Sequence, residues 1–476
     1  MCDFKSYSQI TRLNISKFRG EEMSRLNQLL FVSLLTVSLV QLMSSAAYGQ
    51  HGGSCSCAFC SGQQQKETIT STSQTLDSKD ASISSSSSSR SSSSGSPIGQ
   101  TVLLDFDTGT DGTVNYTQAI RDEVVTQLDN IFQDFGVTFL QSAPGSGDFS
   151  TLTFNAGAVG GLAEGIDFRN LNQADNAVIN TTGLGSGSAA STAGFSANIA
   201  AHELGHLLGL RHRDAFGPIG SGVFAGTDGG FLPNFPGPTN ATEFVDHVLS
   251  TPALGADITR FEDPVWFGER SAIKLAAIFQ LDVVDEAVGN NDSIANAQAL
   301  DLGQLIVPNT IVSGQNAGIG DFDVDAISVV GSIDVGTDDD FYSFEGEAGD
   351  LFNFEVISSG NSNIFDTVDS QITILDSDGN ALNYFGQPAF NDDEIETLDS
   401  IIIDLVLEDS GTFFIQVGNF GTSTGDYELF FSRFNGAVVA VPEPASTGII
   451  LIGLLACGLK RRRRSAWSTD TKTIAN

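Results

Sequence analysis

The sequence predicts a multidomain chain in which an α+β domain is followed by an all-β sandwich. Three observations carry that expectation. The chain is 476 residues long, enough for two to four domains at roughly 100–200 residues each. Between residues 100 and 284, strand-like runs are interleaved with stretches of helical period. After Gly289 the helical period stops, and short alternating runs divided by turn residues take over.

The first block opens with Thr101 to Phe106 (TVLLDF), which alternates as a strand does. Tyr116 to Phe135 reads as a helix, because Ile120, Val124, Leu128 and Ile131 recur at spacings of three and four. Val137 to Leu140, Thr151 to Phe154 and Ala177 to Ile179 are strand candidates, joined by Gly and Asn. Ser196 to Leu210 reads as the next helix, with Ser196 as its N-cap. A looser, glycine-rich stretch from Asp214 to Glu243 precedes a last helix, Glu269 to Phe279.

In the second block the alternating runs are Phe341 to Phe344, Leu351 to Ile357, Gln371 to Leu375, Ile401 to Leu407, Thr412 to Val417 and Tyr427 to Ser432. Turn chemistry separates them, as in Asp376-Ser377-Asp378-Gly379-Asn380. Such a pattern implies a β-sandwich. The expected boundaries are 1–49 for an export segment, 50–99 for a cysteine cluster and serine-rich linker, 100–284 for the α+β domain, 285–436 for the sandwich and 437–476 for a sorting segment.

Charge separates the ends from the middle. The formal net charge is −36, from 58 acidic and 22 basic residues. Residues 50–444 hold 54 acidic and 11 basic side chains, whereas residues 445–476 hold one and six. An acidic body argues against nucleic acid as the partner, since a DNA or RNA surface needs a basic footprint. Leu29 to Val40 is a twelve-residue apolar run, preceded by Arg25 and followed by small residues, with Ala47-Tyr48-Gly49 as a cleavage site before Gln50. That order is the one a secretory signal peptide has. Lys66 to Pro97 is Ser/Thr-rich and too polar to bury a core, so it reads as a tether. Of five cysteines, only Cys55, Cys57 and Cys60 fall outside the two ends. Three cannot all pair within one chain; they suit an intermolecular disulfide, an incidental cluster, a metal site that no second cluster accompanies, or a latency device.

At the C-terminal end, Val441-Pro442-Glu443-Pro444 is followed by an apolar run to Leu459 and by Lys460 to Arg464. This resembles the bacterial PEP-CTERM sorting signal, over roughly residues 441–464. The resemblance implies a bacterial secreted or cell-surface protein, transient membrane anchoring through the apolar helix, and an exosortase-like sorting protease as a partner. The tail from Ser465 to Asn476 departs from it. Residues 290–433 resemble the bacterial pre-peptidase C-terminal domain through Asn291-Asp292-Ser293, DDDFYSF at Asp338 to Phe344, ILDSDG at Ile374 to Gly379 and SGTFFIQV at Ser410 to Val417. Within it, Asp376, Asp378 and Asn380 alternate as oxygen ligands of a calcium loop do. A solvated β-turn explains the same three residues, because the bidentate Glu of a calcium loop is missing.

The chemistry is concentrated in His202-Glu203-Leu204-Gly205-His206-Leu207-Leu208-Gly209-Leu210-Arg211-His212. On a helix, residues four apart lie on one face, so His202 and His206 can present two imidazoles to one ion. Gly209 tolerates the backbone conformation needed to leave the helix, which lets His212 return as a third ligand. Three protein ligands leave one position open, as a catalytic zinc site requires. Glu203, beside the first ligand, is placed to move a proton. The spaced pattern H-E-x-x-H-x-x-G-x-x-H takes three of the chain's five histidines.

This motif resembles the metzincin clan of zinc peptidases, over roughly Thr101 to Leu281. The resemblance implies a metzincin-like catalytic domain, zinc held by His202, His206 and His212, Glu203 as general base, and a protein or peptide substrate. An extended substrate would add to an edge strand near Ala177 to Asn180. Metzincins place a methionine turn under the metal, but the three methionines here are Met1, Met23 and Met43. His247-Val248-Leu249-Ser250 is the candidate turn, with Leu249 in the methionine's place and His247 structural. No tyrosine lies between Tyr116 and Tyr342, so the tyrosine ligand of some subfamilies is missing. Three functions therefore compete: an exported zinc endopeptidase, a catalytically weak or inactive metzincin-fold binding protein of the surface or matrix, and a calcium-dependent adhesion module. The intact Glu203 favours the first.

Overall fold

The computed structural model of the protein describes residues 99–215, 219, 247–250, 262–287, 291–308, 321–394 and 397–434. The export segment, Cys55, Cys57 and Cys60, the serine tether, most of Asp214 to Glu243 and the sorting segment lie outside the described residues. Among the described residues no helix is long and apolar enough to cross a membrane.

The first region is mixed α/β. Strands β1 (Thr101–Asp105), β2 (Thr138–Leu140), β3 (Ser150–Phe154), β4 (Gly160–Ala163) and β5 (Asn176–Asn180) form a sheet in the order β2-β1-β3-β5-β4. All pairings are parallel except β4 with β5. Helix α1 (Gln118–Phe132) buries Ile120, Val124, Leu128 and Ile131, the side chains its period singled out. Helix α2 (Ala189–Leu207) crosses the middle of the domain and is buried almost all round. Helix α3 (Glu269–Gln280) completes the region.

Two expectations need correction. The central helix starts at Ala189, and its cap is Ser188, whose side chain accepts from the Ser191 amide at 3.1 Å. Its first turns are small residues, Ala189-Ala190-Ser191-Thr192-Ala193-Gly194, which give little apolar period yet let the helix approach its neighbours closely. The stretch from Ala177 to Asn180 is not an edge, because β5 lies between β3 and β4. The edge is β4, whose sequence Gly160-Gly161-Leu162-Ala163 has neither alternation nor a β-branched residue.

The second region is strand-rich. It comprises β6 (Val283–Asp285), β7 (Gln298–Ala299), β8 (Gly303–Val307), β9 (Phe322–Ile333), β10 (Asp340–Gly346), β11 (Leu351–Ile357), β12 (Ser370–Leu375), β13 (Asn383–Tyr384), β14 (Gln387–Pro388), β15 (Phe390–Asn391), β16 (Ser400–Val406), β17 (Gly411–Asn419) and β18 (Gly425–Phe434). Two sheets, β15-β12-β17-β10-β7 and β16-β11-β18-β9-β6, share one core that includes Phe344, Phe354 and Phe431. The six alternating runs of the sequence became β10, β11, β12, β16, β17 and β18. The longest strand, β9, was not among them. The apolar core of the first region continues into the second through Leu305, Val324, Leu351, Ile357 and Phe430, and the Phe168 and Phe430 rings meet at 5.5 Å.

Candidate active site

Helix α2 carries His202 and His206 one turn apart, both buried. The helix ends in a Schellman-type turn: the Gly209 amide donates to the His206 carbonyl at 2.8 Å and the Leu210 amide to the Gly205 carbonyl at 2.9 Å. Gly209 takes φ +80, and a Cβ there would lie 2.5 Å from the Phe168 Cα. The turn redirects the chain so that His212, in the short 3-10 helix His212–Ala215, faces back to the first two histidines.

The three imidazoles converge. His206 Nε2 lies 3.2 Å from His202 Nε2, and His212 Nε2 lies 3.3 Å from the same atom. One ligand atom from each of the three falls within 4.8 Å of the others. His202 Nδ1–H donates to the Val248 carbonyl at 2.8 Å, and His206 Nδ1–H donates to the Leu210 carbonyl at 2.9 Å. Those bonds fix the tautomer, so both Nε2 atoms present lone pairs to one point. Lone pairs at that separation repel one another unless a cation lies between them. Tetrahedral zinc with bonds of about 2.0–2.1 Å has ligand atoms about 3.3 Å apart, so the donor set fits such an ion. Burial, then the neighbouring imidazoles, hold His202 well below the usual histidine range, which keeps it neutral and able to ligate.

Beneath the histidines sits the turn His247-Val248-Leu249-Ser250. Leu249 is fully buried, and its Cδ2 would lie 3.1 Å from a Cβ placed on Gly205, within the motif. Leucine thus fills the space under the histidine-bearing turn of α2. His247 is structural, as expected: its Nδ1 accepts from the Leu249 amide at 2.9 Å and its Nε2–H faces the Ser271 hydroxyl at 3.2 Å. Burial pushes the His247 imidazole down to about 3, so the ring stays neutral and able to accept. The same turn lends the Val248 carbonyl to His202.

Glu203 is buried between α2 and the edge of the sheet. Its Oε2 accepts from the Ala163 amide of β4 at 2.7 Å. Gly161 of β4 lies against the same carboxylate, leaving no room for a side chain. Glu203, the chain neighbour of His202, thus sets its carboxylate against the edge strand β4.

Asp376, Asp378 and Asn380 stand apart from this site, in the exposed turn between β12 and β13. Asp376 Oδ1 accepts the Asp378 and Asn380 amides at 2.9 and 2.8 Å, and Asn380 offers its NH2 to the same carboxylate. Those bonds, the Asn380 amide foremost, lower the Asp376 pKa. This is the hydrogen bonding of a solvated Asx turn. Among the described residues the three histidines are the one group of His, Cys, Asp or Glu side chains arranged to share a metal ion.

What sequence reasoning missed is the charge around His212. Arg211 and Arg213, on its two sides, are almost fully buried and pair with carboxylates of the second region. A signal existed, for only eight Lys or Arg occur between residues 99 and 434, and two of them flank the third histidine.

Curated proteins give no match. A solved structure, PliG of Aeromonas hydrophila, a periplasmic inhibitor of g-type lysozyme, is 18% identical over 23% of this chain and 86% of that one. Its TM-score of 0.16 is too low to carry an argument. Residues 100–213, a stretch that ends just past the third histidine, match Metallo-peptidase family M12B Reprolysin-like; this part of the chain is similar to a metallopeptidase domain of that type and carries a histidine triad that could hold a metal ion.

Proposed function

We propose that the protein is an exported zinc-dependent endopeptidase in which Glu203 is the general base. The observation that carries the reading is the convergence of three imidazole Nε2 atoms beside a buried glutamate and an edge strand. His202, His206 and His212 would hold zinc. When bound, zinc would supply a Lewis acid for the scissile carbonyl and for the attacking water. The Ala163 amide orients Glu203 through Oε2, so its carboxylate can take the water's proton and return it to the leaving amine. Among the described residues β4 has no strand on its outer side, and beyond the Ala163 amide, which Glu203 takes, that edge can bind an extended peptide by strand addition, which sets the peptide beside Glu203. Export rests on the Leu29 to Val40 segment, and transient anchoring and sorting by an exosortase-like protease rest on Val441 to Arg464.

Zinc content by elemental analysis, measured with casein cleavage, tests the reading. The wild type should carry one zinc and cleave; Glu203→Ala should keep the zinc and lose cleavage by about 10²–10⁴-fold, as expected for a general base. Absence of zinc, or cleavage that survives Glu203→Ala, would overturn it. Zinc without cleavage in the wild type would favour the binding-protein reading, to which Leu249 is suited; reversion of Leu249 to Met would then be the first variant to assay.

A further inference from the structure

Arg211 reaches out of the metallopeptidase region into the strand-rich region. Its Nη1 donates to Glu394 Oε1 at 2.5 Å and to the Thr397 hydroxyl at 3.1 Å, and its Nη2 donates to Asp399 Oδ2 at 2.6 Å. Gly360 lies against the guanidinium so closely that any side chain there would collide with it. Asp399 is itself fixed: its Oδ1 accepts from the Ser358 amide and the Ser359 hydroxyl, each at 3.0 Å. On the other side of His212, Arg213 pairs with Glu355 and with Glu394. Glu355 also receives Lys274 Nζ at 2.8 Å, and Lys274 reaches Asp214 at 2.9 Å. Asp214 closes the circuit by accepting the Arg211 backbone amide at 2.8 Å. All of these charged groups are nearly excluded from solvent.

A buried guanidinium held in two directions has no rotamer freedom to spend. Two such groups, on the residues immediately before and after His212, remove the freedom of the segment that carries the third ligand. His202 and His206 need no such device, because α2 holds them. We propose that Glu394, Asp399 and Glu355 of the strand-rich region are positioning residues for the metal site: through Arg211 and Arg213 they hold His212 in ligating position.

The proposal rests on the reading of the three histidines as the zinc site. Its test is the zinc affinity of the whole protein, measured by competition with a chromophoric chelator, for Asp399→Asn and Glu394→Gln. Arg270→Gln serves as the comparison, since Arg270 joins the same two regions through Asp404 and Asn353. Groups that orient metal ligands typically govern affinity by about 10–100-fold. Asp399→Asn and Glu394→Gln should weaken zinc binding to that degree. Arg270→Gln should lower the Tm and leave zinc affinity within about twofold. Affinities for both carboxylate variants within twofold of wild type, or an equal loss in Arg270→Gln, would overturn the proposal. If the carboxylate variants do not fold, Arg211→Lys keeps the charge and removes the fork, and unchanged zinc affinity there would overturn it equally. A wild type that takes up no zinc would instead refute the metallopeptidase reading.

Discussion

Gly209 shows how much of the site depends on one backbone conformation. It takes φ +80 at the end of α2, with the Phe168 backbone at contact distance. Any side chain there meets two obstacles, the left-handed conformation and the Phe168 Cα. The first costs about 1–2 kcal/mol alone. Gly209→Ala should therefore lower stability by at least that amount in denaturant unfolding. It should also weaken zinc binding, because the turn it distorts delivers His212 and supplies the Leu210 carbonyl to His206. Unchanged zinc affinity in a destabilised variant would separate the turn from the site. The role of Gly209 was legible in the motif, since a residue between two ligands that must reverse direction calls for glycine. Leu249 was legible as a candidate from its place in His247-Val248-Leu249-Ser250. The carbonyl of Val248 was not, because a backbone acceptor leaves no trace in side-chain identity.

Helix α2 and strand β4 act as a pair. The helix presents Glu203 with the histidines, and β4 receives the carboxylate with the Ala163 amide while Gly161 makes space for it. Gly161→Ala would drive a methyl into the carboxylate. In the zinc peptidase proposed above, cleavage should then fall by at least tenfold, a barrier increase of about 1.4 kcal/mol, with the zinc content unchanged because no histidine is touched. Full activity in that variant would show that Glu203 has room to move. Most elements of the first region were legible because they bury one face, as α1 does with Ile120, Val124, Leu128 and Ile131. The start of α2 and the whole of β4 were not, for one reason. Both are built from glycine, alanine and serine, which carry little hydrophobic period, and both owe their form to what packs against them.

The two regions of the whole molecule are joined by more than a linker. The core of the first runs into β8, β9, β11 and β18, and five of its cationic side chains pair with carboxylates beyond residue 350: Arg169, Arg211, Arg213, Arg270 and Lys274. A buried charge that loses its partner costs roughly 3–5 kcal/mol, so neither region can open while the other stays intact without a large penalty. Calorimetry should accordingly show one cooperative transition for residues 99–434. Two resolved transitions would show that the regions unfold independently. The acidic excess has a place in this arrangement. Carboxylates of the second region meet five cations of the first, and much of the remaining surplus is exposed, where it favours solubility.

Sequence alone singled out the residues of the candidate centre. The spacing of His202, His206 and His212 and the adjacency of Glu203 follow from helical geometry and one glycine turn, which are local and short-range. It also determined the change from mixed α/β to strand-rich texture, because each strand that buries one face alternates visibly. Only the tertiary structure decided which strand is the edge, which carbonyls orient the imidazoles, and which carboxylates meet Arg211 and Arg213. Those are pairings between segments up to 188 residues apart. An ion pair or a sheet order at that separation is set by packing of the whole chain, and no local pattern of residue types encodes which partner will arrive.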